Sequence, residues 1–261
     1  MRLSRTNKIY LNEGHLVYSI LIFLFSFCGE SVFAQVELSK ETTKKEKKKK
    51  VKSRPSEKDG ATSIFLTTNW SFTNSRLETN DGLIGDSLGT RANENGLNTW
   101  SFGIGFRNRL HKNFVLEGGV SFMRNGESYS FVDSDTSYSY QTQYTYIAMP
   151  IRGMYSYGDK IEFLVGGGIV PQLFVGYKQD RQWTTSNNTD GSETFKTQNG
   201  FNTFVISAVL NAGVQFKMSD SWSFLFLPEY KIQLNTSFVK LSPYKHFARS
   251  LGFNFGLVVQ L

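Results

Sequence analysis

Seven ionisable side chains stand where the sequence alternates between bulky apolar and small polar residues: Arg107, Glu117, Arg152, Glu162, Lys217, Glu229 and Lys231. Each falls on the small polar face of its segment. Four basic groups set against three carboxylates are suited to ion pairing rather than to making or breaking bonds. Groups that do bond chemistry are scarce. The three histidines are His15, His111 and His246, and none has a cysteine or another histidine at metal-ligand spacing. His15 lies in a leader, His111 reads as part of a short turn and His246 as part of a long loop. No serine, histidine and carboxylate can be placed together on one rim, and "HFARS" (246–250) does not supply clustered Ser and His. "VGGGIVP" (165–171) is not a phosphate loop, because no Lys-Ser/Thr follows and no helix begins. Its glycines read as room for bulky neighbours. "DSDTS" (133–137) reads as a loop tip. The inventory points away from an enzyme and calls for no metal or cofactor.

The elements that position the seven charges are strands. In "SWSFLFLPEYKIQLN" (221–235), Trp222, Phe224, Phe226, Pro228, Tyr230, Ile232 and Leu234 share one face, and Ser221, Ser223, Leu225, Leu227, Glu229, Lys231, Gln233 and Asn235 the other. A period of two sorts residues this way and a helix does not. The same alternation recurs over 63–72, 98–109, 113–124, 141–156, 160–178, 201–217 and 248–261, giving eight strands and no helix. Connections at 110–113, 157–160 and 218–221 are short, whereas those at 73–97, 125–140, 179–200 and 236–247 are long and polar. Short turns at one end and long loops at the other are the layout of a transmembrane barrel. The expected fold is therefore all-β: an eight-stranded antiparallel up-and-down transmembrane β-barrel over 61–261.

Alternation alone does not say which face looks outward. A water-facing surface is rich in Lys, Arg, Glu and Asp, but here the polar face is mostly Ser, Thr, Gly, Asn and Gln. Small polar residues suit the interior of an eight-stranded barrel, which side chains just fill, and Trp, Phe, Leu and Ile suit lipid outside. The seven charges then face the lumen, where pairing across the barrel offsets their desolvation and closes the pore. A gated polar path or a small-ligand site is the alternative use of the same residues. A soluble barrel with its apolar face turned inward around a lipid is the third arrangement.

The N-terminal part differs in composition. "MRLSRTNKIYLNEGH" is a basic leader, and "LVYSILIFLFSFC" (16–28) is an apolar run too short for the roughly 20 residues of a spanning helix. With Val32 and Ala34 as the small residues before Gln35, residues 1–34 read as a signal peptide. Cleavage there would remove Cys28, the only cysteine, leaving no thiol chemistry in an exported protein. Residues 35–60 have almost no apolar content and read as a disordered periplasmic linker. The chain's net charge is +7, and residues 40–59, with ten Lys/Arg against four Asp/Glu, carry +6 of it. The run Lys44, Lys45, Lys47, Lys48, Lys49 and Lys50 is either a solvated spacer or a tether to an anionic surface. Export argues against nucleic acid as a partner. The loop stretches 80–96 and 184–200, rich in turn formers, are candidate contact surfaces for protein partners.

"YIAMPIRGMYSYG" (146–158) and "VLNAGVQFKMSDSWSFLFLPEYKIQLN" (209–235) resemble strands of the PorT-like outer-membrane β-barrel family, and the resemblance covers roughly 62–261. It implies a small barrel in outer-membrane lipid. Because some family members assist protein secretion across the outer membrane, it also implies an accessory, non-enzymatic role in an outer-membrane secretion or assembly machine. "NFGLVVQL" resembles the C-terminal signal read by the barrel insertion machinery, with Asn254, Gly256, Val259 and Leu261 at its defining positions.

Overall fold

In a computed structural model, residues 60–80, 93–187 and 189–261 are described. The expected signal peptide, nearly all of the linker and the lysine run lie outside them. The strands are β1 (Thr62–Thr79), β2 (Glu94–His111), β3 (Phe114–Val132), β4 (Ser137–Ala148), β5 (Ile151–Tyr157), β6 (Ile161–Thr184), β7 (Asp190–Thr197), β8 (Phe204–Lys217), β9 (Trp222–Gln233) and β10 (Tyr244–Gln260). They form one antiparallel sheet in which β2, β1, β10, β9, β8, β6, β4 and β3 pair in that order, and β3 pairs back to β2. The sheet is thus a closed ring. The first and last strands join it in unbroken register from Ser63 opposite Gln260 to Thr79 opposite Tyr244.

Among the described residues there are ten strands where the alternation predicts eight. Two local causes account for this. Pro150 has no N–H to donate, so the ladder is interrupted at Met149–Pro150 and splits β4 from β5. Both pieces pair with β3 and β6, and Gly119 N–H to Pro150 O (3.2 Å) and Met149 N–H to Pro171 O (2.8 Å) bridge the gap. The other addition is β7, inside the expected loop 179–200, which pairs only with the far end of β6. Several strands also run past their expected ends: β1, β3 and β10 extend into the expected loops at 73–97, 125–140 and 236–247. These extensions are rich in Thr, Ser and Tyr, which favour strands but give no apolar alternation.

The ring has inverted polarity. Phe102 (59% exposed) and Ile104 (56%) lie on its outer face, while their neighbour Ser101 (6%) and, across the pair, Asn69 (7%) lie inside. An apolar belt encircles the outside, running on β1 up to Phe72, on β2 up to Trp100, on β3 up to Phe122 and on β10 up to Leu251. The inside is less uniformly polar than expected. Toward the short turns, Phe65, Val115, Met154, Leu164, Leu225, Leu227 and Val258 form one buried cluster. Toward the long loops, Met123, Tyr144, Tyr146, Val170, Val205 and Val209 lie in a second.

The glycines of 165–171 make room for backbone more than for side chains. A methyl group on Gly168 would run into the carbonyl oxygen of Ile151, and one on Gly166 into that of Gly153, because β5 and β6 approach closely there. Gly158, with φ 118°, makes the tight turn between those strands. Residues 133–136 form a turn closed by Asp133 N–H to Thr136 O at 2.8 Å, so this segment is a loop tip, as its composition predicts.

Candidate functional site: the lumen

Five of the seven expected charges form one connected chain. Strand register creates it: Glu117 on β3 lies directly opposite Arg107 on β2 and directly opposite Arg152 on β5. Arg107 donates from Nε to Glu117 Oε1 at 2.7 Å, with a second guanidinium nitrogen on the same oxygen. Its remaining arm donates to Gln215 on β8. Arg152 stands 3.9 Å from Glu117 Oε2 and reaches across the lumen to Glu229 Oε2 on β9 at 3.1 Å. Glu229 Oε1 accepts from Asn69 Nδ2 at 3.3 Å and lies 3.6 Å from Lys231 Nζ. Isolated charges at this depth would each cost several kcal/mol. Here each carboxylate faces two cations, Glu117 between Arg107 and Arg152 and Glu229 between Arg152 and Lys231, and the Asn69 amide adds a hydrogen bond to Glu229.

Glu162 belongs to a second, smaller pair with Arg109, at 2.6 Å. Arg109 also donates to Ser156 Oγ (2.9 Å) and to Lys112 O (3.1 Å). Arg109 is not among the seven expected charges, although it shares the inward parity of Arg107; its place beside a turn conceals it. Lys217 lies half-buried at the short-turn end of β8, opposite Ser223, with its backbone N–H on Lys160 O. The structure therefore brings together Arg107, Glu117, Arg152, Glu229 and Lys231, pairs Glu162 elsewhere, and leaves Lys217 at the rim.

A cavity of about 40 Å³ lies beside the chain, lined by Asn69, Ser101, Met123, Arg152, Glu229 and Lys231 among others. That is room for roughly three water molecules. The Lys231 ammonium contacts Met123 Sδ at 3.0 Å, a weak acceptor, so water in this cavity would complete its donor set.

A second polar knot lies beyond the belt, toward the long loops, and corrects two expectations. His246 is a buried residue of β10, not part of a loop. It also meets both a serine and a carboxylate: Nδ1 lies 3.0 Å from Ser237 Oγ, and Nε2 lies 3.3 Å from Glu127 Oε2. Its ring stacks on Tyr144, whose hydroxyl donates to Glu127 Oε1 at 3.0 Å. Burial works to raise the Glu127 pKa, but the hydrogen bond and charge of His246 outweigh it and hold the carboxyl below its usual range. Burial, and then the Glu127 charge, push the Tyr144 phenol well above its ordinary value.

This Ser–His–Glu chain has the distances of a nucleophile relay but not the access. Ser237 is wholly buried, and its oxygen is also held by Gln233 Nε2 (2.9 Å) and the Tyr146 hydroxyl (3.3 Å). A substrate carbonyl cannot come within reach unless the 234–243 connection leaves. That connection is tied down by Asn202, which donates to Thr236 O and Phe238 O, and by Phe201 packed on Phe174, Tyr177 and Phe238. Among the described residues no group of His, Cys, Asp and Glu is arranged to hold a metal ion.

Of the C-terminal motif residues, Asn254, Gly256 and Val259 lie on β10 and Leu261 just past its end. Asn254 and Gly256 are buried inside, and Val259 and Leu261 are exposed outside. Asn254 Nδ2 donates to Leu227 O at 3.0 Å.

No family model matches the sequence, and no curated protein matches it. Among solved structures, the chain is similar to Ail, the attachment invasion locus protein of Yersinia pestis, at 14% identity over 76% of this chain and 99% of that one, with a TM-score of 0.30. It is similar to Neisserial surface protein A at 12% identity, over 78% and 100% of the two chains, with a TM-score of 0.40. It is also similar to the outer membrane protein OprG from Pseudomonas aeruginosa at 11% identity, over 78% and 97%, with a TM-score of 0.42.

Proposed function

We propose that the chain is an integral outer-membrane β-barrel with a closed lumen, acting as a non-enzymatic structural and interaction protein. Its wall counts eight staves when β4 and β5 are taken as two halves of one and β7 as an outgrowth of β6. One observation carries this reading: the ring wears its large apolar side chains outside and its ion pairs inside. A soluble lipid carrier needs the reverse. In lipid, every strand must have hydrogen-bonding neighbours on both sides, and a closed ring supplies them.

The short turns then face the periplasm, where the basic linker would also lie, and the long-loop end faces outward. Partner contacts are assigned to the long-loop end and to Lys44, Lys45, Lys47, Lys48, Lys49 and Lys50. Support for an accessory role in an outer-membrane secretion or assembly machine is the resemblance of residues 146–158 and 209–235 to PorT-like strands. Mild-detergent purification of the tagged full chain from membranes tests this role. A defined set of co-purifying membrane proteins is expected, whereas a lone barrel would refute it. Release of the protein from membranes by high salt alone would refute the integral barrel itself.

A second reading, a narrow path for ions or small solutes, draws on the cavity beside Arg152 and Lys231. Stable single-channel openings in planar bilayers would favour it over the closed lumen.

A further inference from the structure

Beyond the top of the apolar belt, the outer face changes character on one side of the ring only. On β10, the next outward residue past Leu251 is Arg249. On β1, past Phe72, it is Asn74; on β2, past Trp100, it is Asn98; on β3, past Phe122, it is Arg124. All four are exposed, and all four carry N–H donors. None of these first positions holds a carboxylate. Register makes them neighbours: Asn74 is opposite Arg249, and Phe72 is opposite Asn98. One step further out on β1 is Arg76, which already engages Glu78.

Arg124 is fixed where it stands. Its guanidinium lies over the Phe122 ring, 5.1 Å from the centroid. The regular β2–β3 ladder is interrupted between Gly96 and Phe102, and side chains replace it: Thr99 Oγ1 donates to Arg124 O at 3.0 Å, and Arg124 N–H donates to Ser101 Oγ at 3.3 Å. The Arg124 backbone is thus fixed at the belt's edge, with the guanidinium over Phe122 on the outer face.

Among the described residues the rest of the ring lacks such a collar. On β4 the corresponding position is Thr145, β9 remains apolar on its outer face to Leu234, and Lys178 on β6 is neutralised by Asp180. The belt's other edge carries Tyr155, Tyr157 and Trp222. Adjacent strands lie about 4.8 Å apart and rise about 3.3 Å per residue, so Arg249 and Arg124, three strands apart and offset by about three residues in register, are separated by roughly 17 Å along the sheet.

We propose that Arg249, Asn74, Asn98 and Arg124 form a binding site for the phosphates of a phosphorylated glycolipid headgroup in the leaflet facing the long loops. Guanidinium groups take phosphate through charge-assisted, bidentate hydrogen bonds, and amides fill the span between them. The separation suits a headgroup carrying more than one phosphate. The site rests on the reading of the apolar belt as membrane-spanning, because only then does the collar meet headgroups.

The test uses the full chain, inserted into phosphatidylcholine vesicles with lipid A or with chemically dephosphorylated lipid A. Insertion is followed by heat-modifiable gel mobility, and retained lipid is counted by native mass spectrometry. Lipid A is expected to be retained and its dephosphorylated form not. Arg249→Gln with Arg124→Gln should insert normally yet bind lipid A roughly tenfold more weakly. Equal retention of the two lipids, or unchanged binding by the double variant, overturns the site while leaving the barrel standing. Failure to insert into either vesicle overturns the membrane reading and the site with it.

Discussion

Glu117→Gln tests the lumen chain at its centre. The change keeps the side chain's size and one acceptor oxygen but removes the charge that faces both Arg107 and Arg152. Side-chain exposure is 3% for Glu117 and 5% for Arg107, so solvent screens little of the interaction. Removing one partner of a buried pair costs about 3–5 kcal/mol, because the other charge stays buried and uncompensated. Arg152 retains Glu229 at 3.1 Å and Arg107 retains Gln215, which places the expected loss at the lower end, about 3 kcal/mol. With a urea slope of about 2 kcal/mol per molar, the unfolding midpoint should fall by about 1.5 M. The assay is urea unfolding of the vesicle-inserted protein, read by tryptophan fluorescence and by heat-modifiable mobility. Adding Arg107→Met removes the stranded charge, so the double variant should recover much of the loss. The exposed pair Arg76–Glu78 is the control: Glu78→Gln should cost less than about 1 kcal/mol. An unchanged midpoint for Glu117→Gln, or a double variant as weak as the sum of its parts, would refute the reasoning.

Gly168→Ala should prevent recovery of a heat-modifiable barrel, since the added methyl meets the Ile151 carbonyl, whereas Gly176→Ala, with open space around it, should fold normally. The Glu127–His246 contact predicts a pH dependence. The folded Glu127 carboxyl titrates below its ordinary value, so its contribution is fully present above the unfolded carboxylate pKa and is lost as pH falls through the folded one. The urea midpoint should therefore drop on acidification through and below the usual carboxylate range, and Glu127→Gln should flatten that part of the profile. The wild-type chain should give no stable openings in planar bilayers. Arg152→Ala with Lys231→Ala, which truncates two side chains beside the cavity, should raise the frequency of brief openings.

The faces of the strands are legible because a barrel wall enforces period two, one face inward and one outward. That period placed Glu117, Glu162, Glu229 and Lys231 inside, where they are found. Parity also pointed to Arg109, and only its closeness to a turn hid it. The strand ends were less legible. Beyond the belt both faces meet polar surroundings, and Thr, Ser and Tyr carry no hydropathy signal, so β1, β3 and β10 outran their expected limits. The knot of Glu127, Ser237 and His246 was invisible, since its members are 119 and 9 residues apart and meet only through the closed ring. Leu225 and Leu227, assigned by parity to the polar face, are indeed inside but form part of an apolar cluster.

That mixture of ion pairs and apolar packing inside the ring has a consequence for register. A slip of one residue between β2 and β3 would turn Arg107 or Glu117 outward into the belt. An Arg or Lys at the bilayer midplane costs about 2–4 kcal/mol. A slip of two keeps parity but breaks the row: Glu117 would then face Gly105 or Arg109 on β2, and Arg107 would face Gly119 or Val115 on β3. The row spans β2, β3 and β5 by register and reaches β9 across the lumen, so a shift at one seam strands charges that no other seam can satisfy. Apolar packing alone would not discriminate so sharply, because Leu225, Leu227 and Val115 can meet other aliphatic neighbours at similar cost. In this chain the apolar clusters fill the lumen, and the charges select the one alignment of strands that the ring can close on.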